Sequence, residues 1–173
     1  MNSGIAILRT DTLYGIVGRA QEPSVVERIY TIKKRAPSKP LIILIANQDD
    51  IHQFKVVASG DHTNLINKKW PGPVSIIFSL EQPNDYEYLH RGTQTLAFRL
   101  PDDERLRMIL KETGPLVAPS ANPEGFEPAY TIQEAMEYFS DTVDCYCDDG
   151  PVTNTKASTV ISCEDGKITI LRA

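Results

Sequence analysis

A mixed α/β sheet, twisted and flanked by helices, is the fold class this sequence predicts, on three observations. Strand-like and helix-like runs are interspersed without strict alternation. The run PLIILIA (40–46) is continuously apolar and rich in β-branched residues, the pattern of a strand buried on both faces. The last three strand patterns, at 143–149, 158–162 and 167–172, follow one another with no helical pattern between them. Such clustering fits a mixed sheet better than a fully parallel, doubly wound one.

The elements read in order. GIAILR (4–9) is the first strand, and it runs into TDTLYGIVG (10–18), where Gly15 and Gly18 predict an irregular loop. Ser24-x-x-Glu27 has the spacing of a capping box and opens a helix over 24–34, with Val25, Val26, Ile29 and Ile32 on its apolar face. After the buried strand come two short helical patterns, around 48–56 and 61–69. WPGP (70–73) punctuates, and Trp70 reads as a core or hinge residue. VSIIFSL (74–80) and TQTLAFRL (93–100) are strands, the second closed by Pro101. A helix over 103–112 leads into PLVAPS, a short strand and loop, and Thr131-x-x-Glu134 caps a helix running to about 139.

Composition narrows the function. The 173 residues suit one domain, 1–173, and 41% hydrophobic with 24% charged residues is ordinary for a soluble globular protein. No apolar run approaches the ~18 residues of a membrane span. Residues 1–8 lack a basic start and a long apolar core, so no signal peptide is expected and the location is cytoplasmic. A formal net charge of -5 argues against an extended nucleic-acid footprint, but not against a local basic pocket. Cys145, Cys147 and Cys163 read as buried or half-buried free thiols, because no further ligands stand at metal-site spacing. His52, His62 and His90 are scattered and expected to be exposed. Neither G-x-G-x-x-G nor G-x-x-x-x-G-K-[ST] occurs, and no nucleophile–histidine–acid arrangement stands out.

Four segments could still carry chemistry. KKRAPSKP (33–40) crowds Lys33, Lys34, Arg35 and Lys39 between a helix end and a strand mouth. Complementing the helix dipole accounts for one or two of these cations; an anion site would account for all. APSANPEG (118–125) offers small residues that let a ligand approach backbone and hydroxyl groups, although taken alone a surface turn explains it better. TDTLYG (10–15) puts Thr10, Asp11 and Thr12 at a strand end, where ligands often bind in α/β proteins. TLAFR (95–99) sets Thr95 and Arg99 on one face of a strand, about 13 Å apart, with Arg99 either a carboxylate fork or a strand-end surface charge. Asp148–Asp149 before Gly150 reads as a turn.

In sequence, TDTLYG, IYTIKKRAPSKPLIIL, WPGPVSIIF, TLAFRLPDD, APSAN, DDG and STVIS resemble the YrdC/TsaC family from about residue 4 to 172. The resemblance implies a YrdC-like twisted mixed sheet around a basic cavity. It implies threonylcarbamoyl-AMP synthesis from L-threonine, CO2 or bicarbonate and ATP, with Mg2+ held by the ATP. The product would pass to a downstream threonylcarbamoyl transferase that modifies tRNA. The family's catalytic tetrad falls on Lys33, Arg35, Ser120 and Asn122. Its ATP contacts fall on Arg35, Lys39, Thr95, Ala118, Ser120 and Arg172, and its L-threonine contacts on Thr12, Arg99 and Ser158. Three positions depart from the pattern: Arg9 replaces a usual proline, Pro128 a small polar residue, and Leu44 a histidine of longer members. The rival readings are a non-catalytic protein that binds tRNA or double-stranded RNA, and a carbamoyl-transfer domain like that of HypF.

Overall fold

The chain opens with a β-hairpin where the sequence predicts a strand followed by a loop. The computed structural model describes residues 3–153, 156–164 and 167–173. Strand β1 (Ala6–Arg9) turns through Thr10–Leu13 and returns as β2 (Tyr14–Arg19), antiparallel, with Ala6 opposite Val17 and Arg9 opposite Tyr14. Gly18 is therefore no loop signal. It lets helix α1 (Pro23–Lys33) lie close on β2, since a Cβ there would sit 2.3 Å from Val25 Cγ1 and 3.2 Å from Ile29 Cδ1. Gly18→Ala is expected to destabilise by about 1–3 kcal/mol, because that contact can be relieved only by shifting a packed helix. A urea midpoint unchanged from wild type would refute this.

The start of α1 also differs from its expectation. Pro23 takes the first helical position, so Glu22 is the N-cap, without a side-chain cap bond, and Ser24 already lies inside the helix. Proline's fixed φ and missing N–H suit that first turn, which moves the start upstream of the expected capping box. At the other end Lys34 turns left-handed (φ 52°), and the Arg35 N–H reaches back to the Tyr30 carbonyl at 3.0 Å. This turn makes three consecutive cations diverge.

Strand β3 (Ile42–Leu44) follows, then a 3-10 segment (Gln48–Phe54), β4 (Val56–Val57), α2 (Gly60–Lys69) and β5 (Val74–Leu80). A second 3-10 segment (Pro83–Tyr86) and α3 (Glu87–His90) lead to β6 (Thr95–Arg99), α4 (Glu104–Thr113) and β7 (Leu116–Val117). Helix α5 (Ile132–Phe139) begins on the capping box read from the sequence: Thr131 Oγ1 accepts the Glu134 N–H, and Glu134 Oε2 accepts the Thr131 N–H. Strands β8 (Cys145–Tyr146), β9 (Thr159–Glu164) and β10 (Lys167–Arg172) complete the described elements.

The strands form one mixed sheet in the order β10-β9-β5-β6-β3-β7-β2-β1-β8, with β4 paired to β5. The pairs β3–β6, β5–β9 and β1–β8 are parallel; the others are antiparallel. Alternation assigns neighbours to opposite faces. Ile7, Ile16 and Ile43 enter the larger core, while Leu8, Val17 and Leu44 join the smaller one beside Leu106 and Leu110 of α4. PLIILIA is thus covered on both sides, as its pattern requires. Trp70 is buried and donates from Nε1 to the Val74 carbonyl at 2.7 Å.

Two histidines expected at the surface are interior. His62 stacks on Phe78 at 4.6 Å, and its Nδ1 accepts the Ser59 N–H at the start of α2. His90 Nδ1 accepts the N–H groups of Gly92 and Gln94. Both use the ring to pair backbone groups that burial would otherwise leave unsatisfied. Among the described residues, no helix is long and apolar enough to cross a membrane.

Candidate active site

A cavity of about 360 Å3 opens between the β1–β2 turn, the loop after α1, strand β6, the segment after β7 and the β9–β10 hairpin. Strand periodicity delivers one wall: Thr95, Ala97 and Arg99 of β6 all face it, two residues apart. Of the residues singled out in the sequence, Thr12, Arg35, Thr95, Arg99, Ala118, Ser120, Ser158 and Arg172 line the cavity. Lys33, Lys39 and Asn122 do not. Among the described lining residues, three carry guanidinium groups and none carries a carboxylate.

Each arginine is held by the fold. Arg35 donates from Nε to the Lys39 carbonyl at 3.1 Å and from Nη2 to the Pro40 carbonyl at 3.0 Å, so its own loop fixes its direction. Arg172 donates to the Ser158 carbonyl and Oγ, both at 2.9 Å, and Ser158 Oγ meets Ser75 Oγ at 3.0 Å. A register shift between Ile170 and Arg172 turns both Leu171 and Arg172 toward the cavity. Burial lowers the Arg172 guanidinium from its ordinary value, and Arg35 lowers it further.

Arg99 is 4% exposed and pairs with Asp11 at 3.0 Å, its Nη2 also lying 3.5 Å from Thr10 Oγ1. It is therefore no strand-end surface charge. Asp11 lies behind the cavity wall, and burial raises its carboxyl despite the opposing pull of Arg99. Thr10 Oγ1 organises the same turn, accepting the N–H groups of Thr12 and Leu13. Asp11 was legible as a turn residue; its role as the counter-charge of Arg99 depends on a pairing across 88 residues of chain.

The cations of KKRAPSKP separate. Lys33 is 2% exposed and donates to the carbonyls of Ser120 and Asn122, both at 2.5 Å, so it anchors the A-P-S-A-N segment from behind. Ser120 Oγ donates to Asn122 Oδ1 at 2.6 Å, and Asn122 Nδ2 closes the turn on the Phe126 carbonyl at 2.7 Å. Lys39 points outward to an ion pair with Glu124, whose other oxygen accepts the Ala36 N–H. Glu124, absent from the sequence reading, ties the two loops together, and Lys39, then the Ala36 N–H, lower its carboxyl. Its signal was an acid standing two residues after the S-A-N segment, with a lysine cluster to meet.

Burial first, and Arg35 second, lower the Lys33 ammonium to about 7. Between that value and its ordinary one the unfolded chain holds the proton more tightly, so stability rises with pH from about 7 to 10. Lys33→Met is expected to flatten this slope by about 1 kcal/mol per pH unit, read from urea midpoints at pH 7 and 9. Equal slopes in the two proteins would remove the assignment.

Comparison with known proteins places the chain in a family. The model of the family Sua5_yciO_yrdC, described as "Telomere recombination", matches residues 2–173. The chain belongs to this family. The Sua5/YciO/YrdC chain is 33% identical over 172 residues to the putative threonylcarbamoyl-AMP synthase of Methanocaldococcus jannaschii, spanning 99% of its own length and 80% of that protein. It is 31% identical over 165 residues to threonylcarbamoyl-AMP synthase of Bacillus subtilis, covering 94% of itself and 47% of the relative. Its fold superposes with a TM-score of 0.87 and 27% identity on Pyrococcus abyssi Sua5 complexed with L-threonine, covering 98% of this chain and 50% of that one. The chain thus spans most of the first relative and about half of the other two.

Proposed function

We propose that this Sua5/YciO/YrdC protein is an L-threonylcarbamoyladenylate synthase, forming threonylcarbamoyl-AMP and pyrophosphate from L-threonine, CO2 or bicarbonate, and ATP. The observation that carries the reading is the charge of the cavity: three guanidinium groups and no described carboxylate on its wall, in a chain of formal net charge -5. Such a wall suits a triphosphate and a carboxylate together, and the related proteins bear the name of this activity.

The residues divide by position. Arg99, steadied by Asp11, receives the substrate carboxylate, with Thr12 and Ser158 on the same side as amino-acid contacts. Arg35 and Arg172 face the phosphates, with Thr95, Ala118 and Ser120 on the nucleotide side. Lys33 and Asn122 hold Ser120 in place. Lys39 reaches the phosphates only by leaving Glu124. The amine of L-threonine captures CO2 and loses a proton to solvent; the carbamate oxygen then bonds to the α-phosphorus as the α–β bridging bond breaks and pyrophosphate departs. The chain supplies no covalent nucleophile to this step; it supplies alignment and positive charge where phosphate oxygens gain negative charge. Mg2+ would be held by the ATP phosphates and water, where it would offset phosphate charge beside Arg35 and Arg172. The adenylate then serves a transferase acting on tRNA.

Incubation with MgATP, L-threonine and bicarbonate, followed by mass spectrometry, tests the proposal. A threonylcarbamoyl-AMP signal requiring all three substrates is expected. Its absence from folded protein that binds tRNA would favour the RNA-binding reading instead.

A further inference from the structure

Cys145 and Cys147 stand apart from the cavity, on the outermost strand of the sheet. Among the described residues strand β8 pairs only with β1, and Cys147 extends the pairing by donating its N–H to the Ile7 carbonyl at 2.8 Å. Residues two apart on extended backbone share a face, and here the two Sγ atoms lie 3.8 Å apart. Cys147 is half-buried and Cys163 buried, as expected of free thiols, whereas Cys145 is exposed, which the sequence reading did not anticipate. The pair is open to solvent on its strand edge.

Two chemistries could join these sulfurs, and their dimensions differ. A disulfide needs an S–S bond of about 2 Å and Cβ atoms about 3.5–4.5 Å apart. Alternate residues of a strand have Cα atoms about 6.6 Å apart, at the upper limit for a disulfide, so closing that bond would have to draw the two positions together. A tetrahedral cation with metal–sulfur bonds of about 2.3 Å holds two thiolates about 3.8 Å apart. The observed spacing meets the second requirement with the strand left in place.

We propose that Cys145 and Cys147 form a two-thiolate chelate for a thiophilic cation of the zinc class. Binding displaces one proton from each thiol to solvent and forms two metal–sulfur bonds, with no change in oxidation state. Among the described residues no third histidine, cysteine, aspartate or glutamate joins them, so water completes the coordination and the ion exchanges with solvent. Asp149 is already committed to Arg105 through one oxygen. Neither cysteine lines the cavity, so the chelate is independent of adenylate formation.

Titration of the reduced, metal-free full chain with Cd2+ tests this through the ultraviolet charge-transfer absorption of cadmium thiolates. One equivalent of Cd2+ should bind with release of two protons, and a large excess of Zn2+ should compete for the same site. Cys145→Ser and Cys147→Ser should each abolish the absorption and leave threonylcarbamoyl-AMP formation unchanged, while Cys163→Ser should keep both. Persistence of the absorption in either single variant, dependence on Cys163, or no absorption in the wild type would overturn the proposal. So would ready closure of a Cys145–Cys147 disulfide by oxidised glutathione, because it would show that the strand yields.

Discussion

Arg35→Ala is expected to keep the fold and lose adenylate formation by about two to three orders of magnitude. The size follows from removing a fixed cation aimed at oxygens that gain charge in the transition state, in a wall with only two other described guanidinium groups. The fold should survive because Arg35 is half-buried, and its side chain donates to carbonyls of the next loop, Lys39 and Pro40, while its backbone bond to Tyr30 is kept in the variant. Arg35→Lys restores charge without the planar fork and should recover only part of the rate. The measurement is pyrophosphate release, with the urea midpoint as control. Near-normal release from Arg35→Ala would put the phosphates elsewhere.

Asp11→Asn should act on L-threonine rather than ATP, and on stability as well. Asp11 and Arg99 are both buried at 3.0 Å, and removing one charge leaves an uncompensated guanidinium inside the protein. Breaking such a pair costs about 3–5 kcal/mol, whereas replacing both members by apolar residues is often nearly neutral. Asp11→Leu combined with Arg99→Met should therefore be more stable than Asp11→Asn, yet have almost no L-threonine-dependent turnover. Its ATP affinity should stay within a few-fold of wild type. This pattern separates a structural from a substrate-binding role: a double variant that keeps the wild-type KM for L-threonine would remove Arg99 from the amino-acid side.

The sequence was most legible where a local rule decides. Strand β5 occupies the predicted residues 74–80, and Thr131 and Glu134 form the capping box that their spacing announced. The two-residue step of β6 put Thr95 and Arg99 on the one wall they share. It was least legible where a distant partner decides. Gly18 looked like a loop because the helix packed on it is invisible in TDTLYGIVG. Lys33, Lys34 and Arg35 looked alike as cations; one left-handed residue sends the first into the protein and the third to the cavity. Lys39, read as an ATP contact, is paired here with Glu124, a partner 85 positions away that its own segment does not announce. His62 and His90, polar in sequence, became interior hydrogen-bonding groups once neighbouring backbone needed partners.

The cavity draws on Thr10 and Thr12 from the first hairpin and on Leu171 and Arg172 from the last. Bringing such distant segments together costs loop-closure entropy, so the cavity exists only when both ends of the chain are docked. A molecule with β9 and β10 undocked would keep the packing of β3, β5 and β6 but lack Arg172 and the serine pair that steadies it. Nucleotide affinity should consequently report the final docking of β9 and β10 rather than collapse. Added MgATP would slow unfolding chiefly by holding that hairpin against the first one.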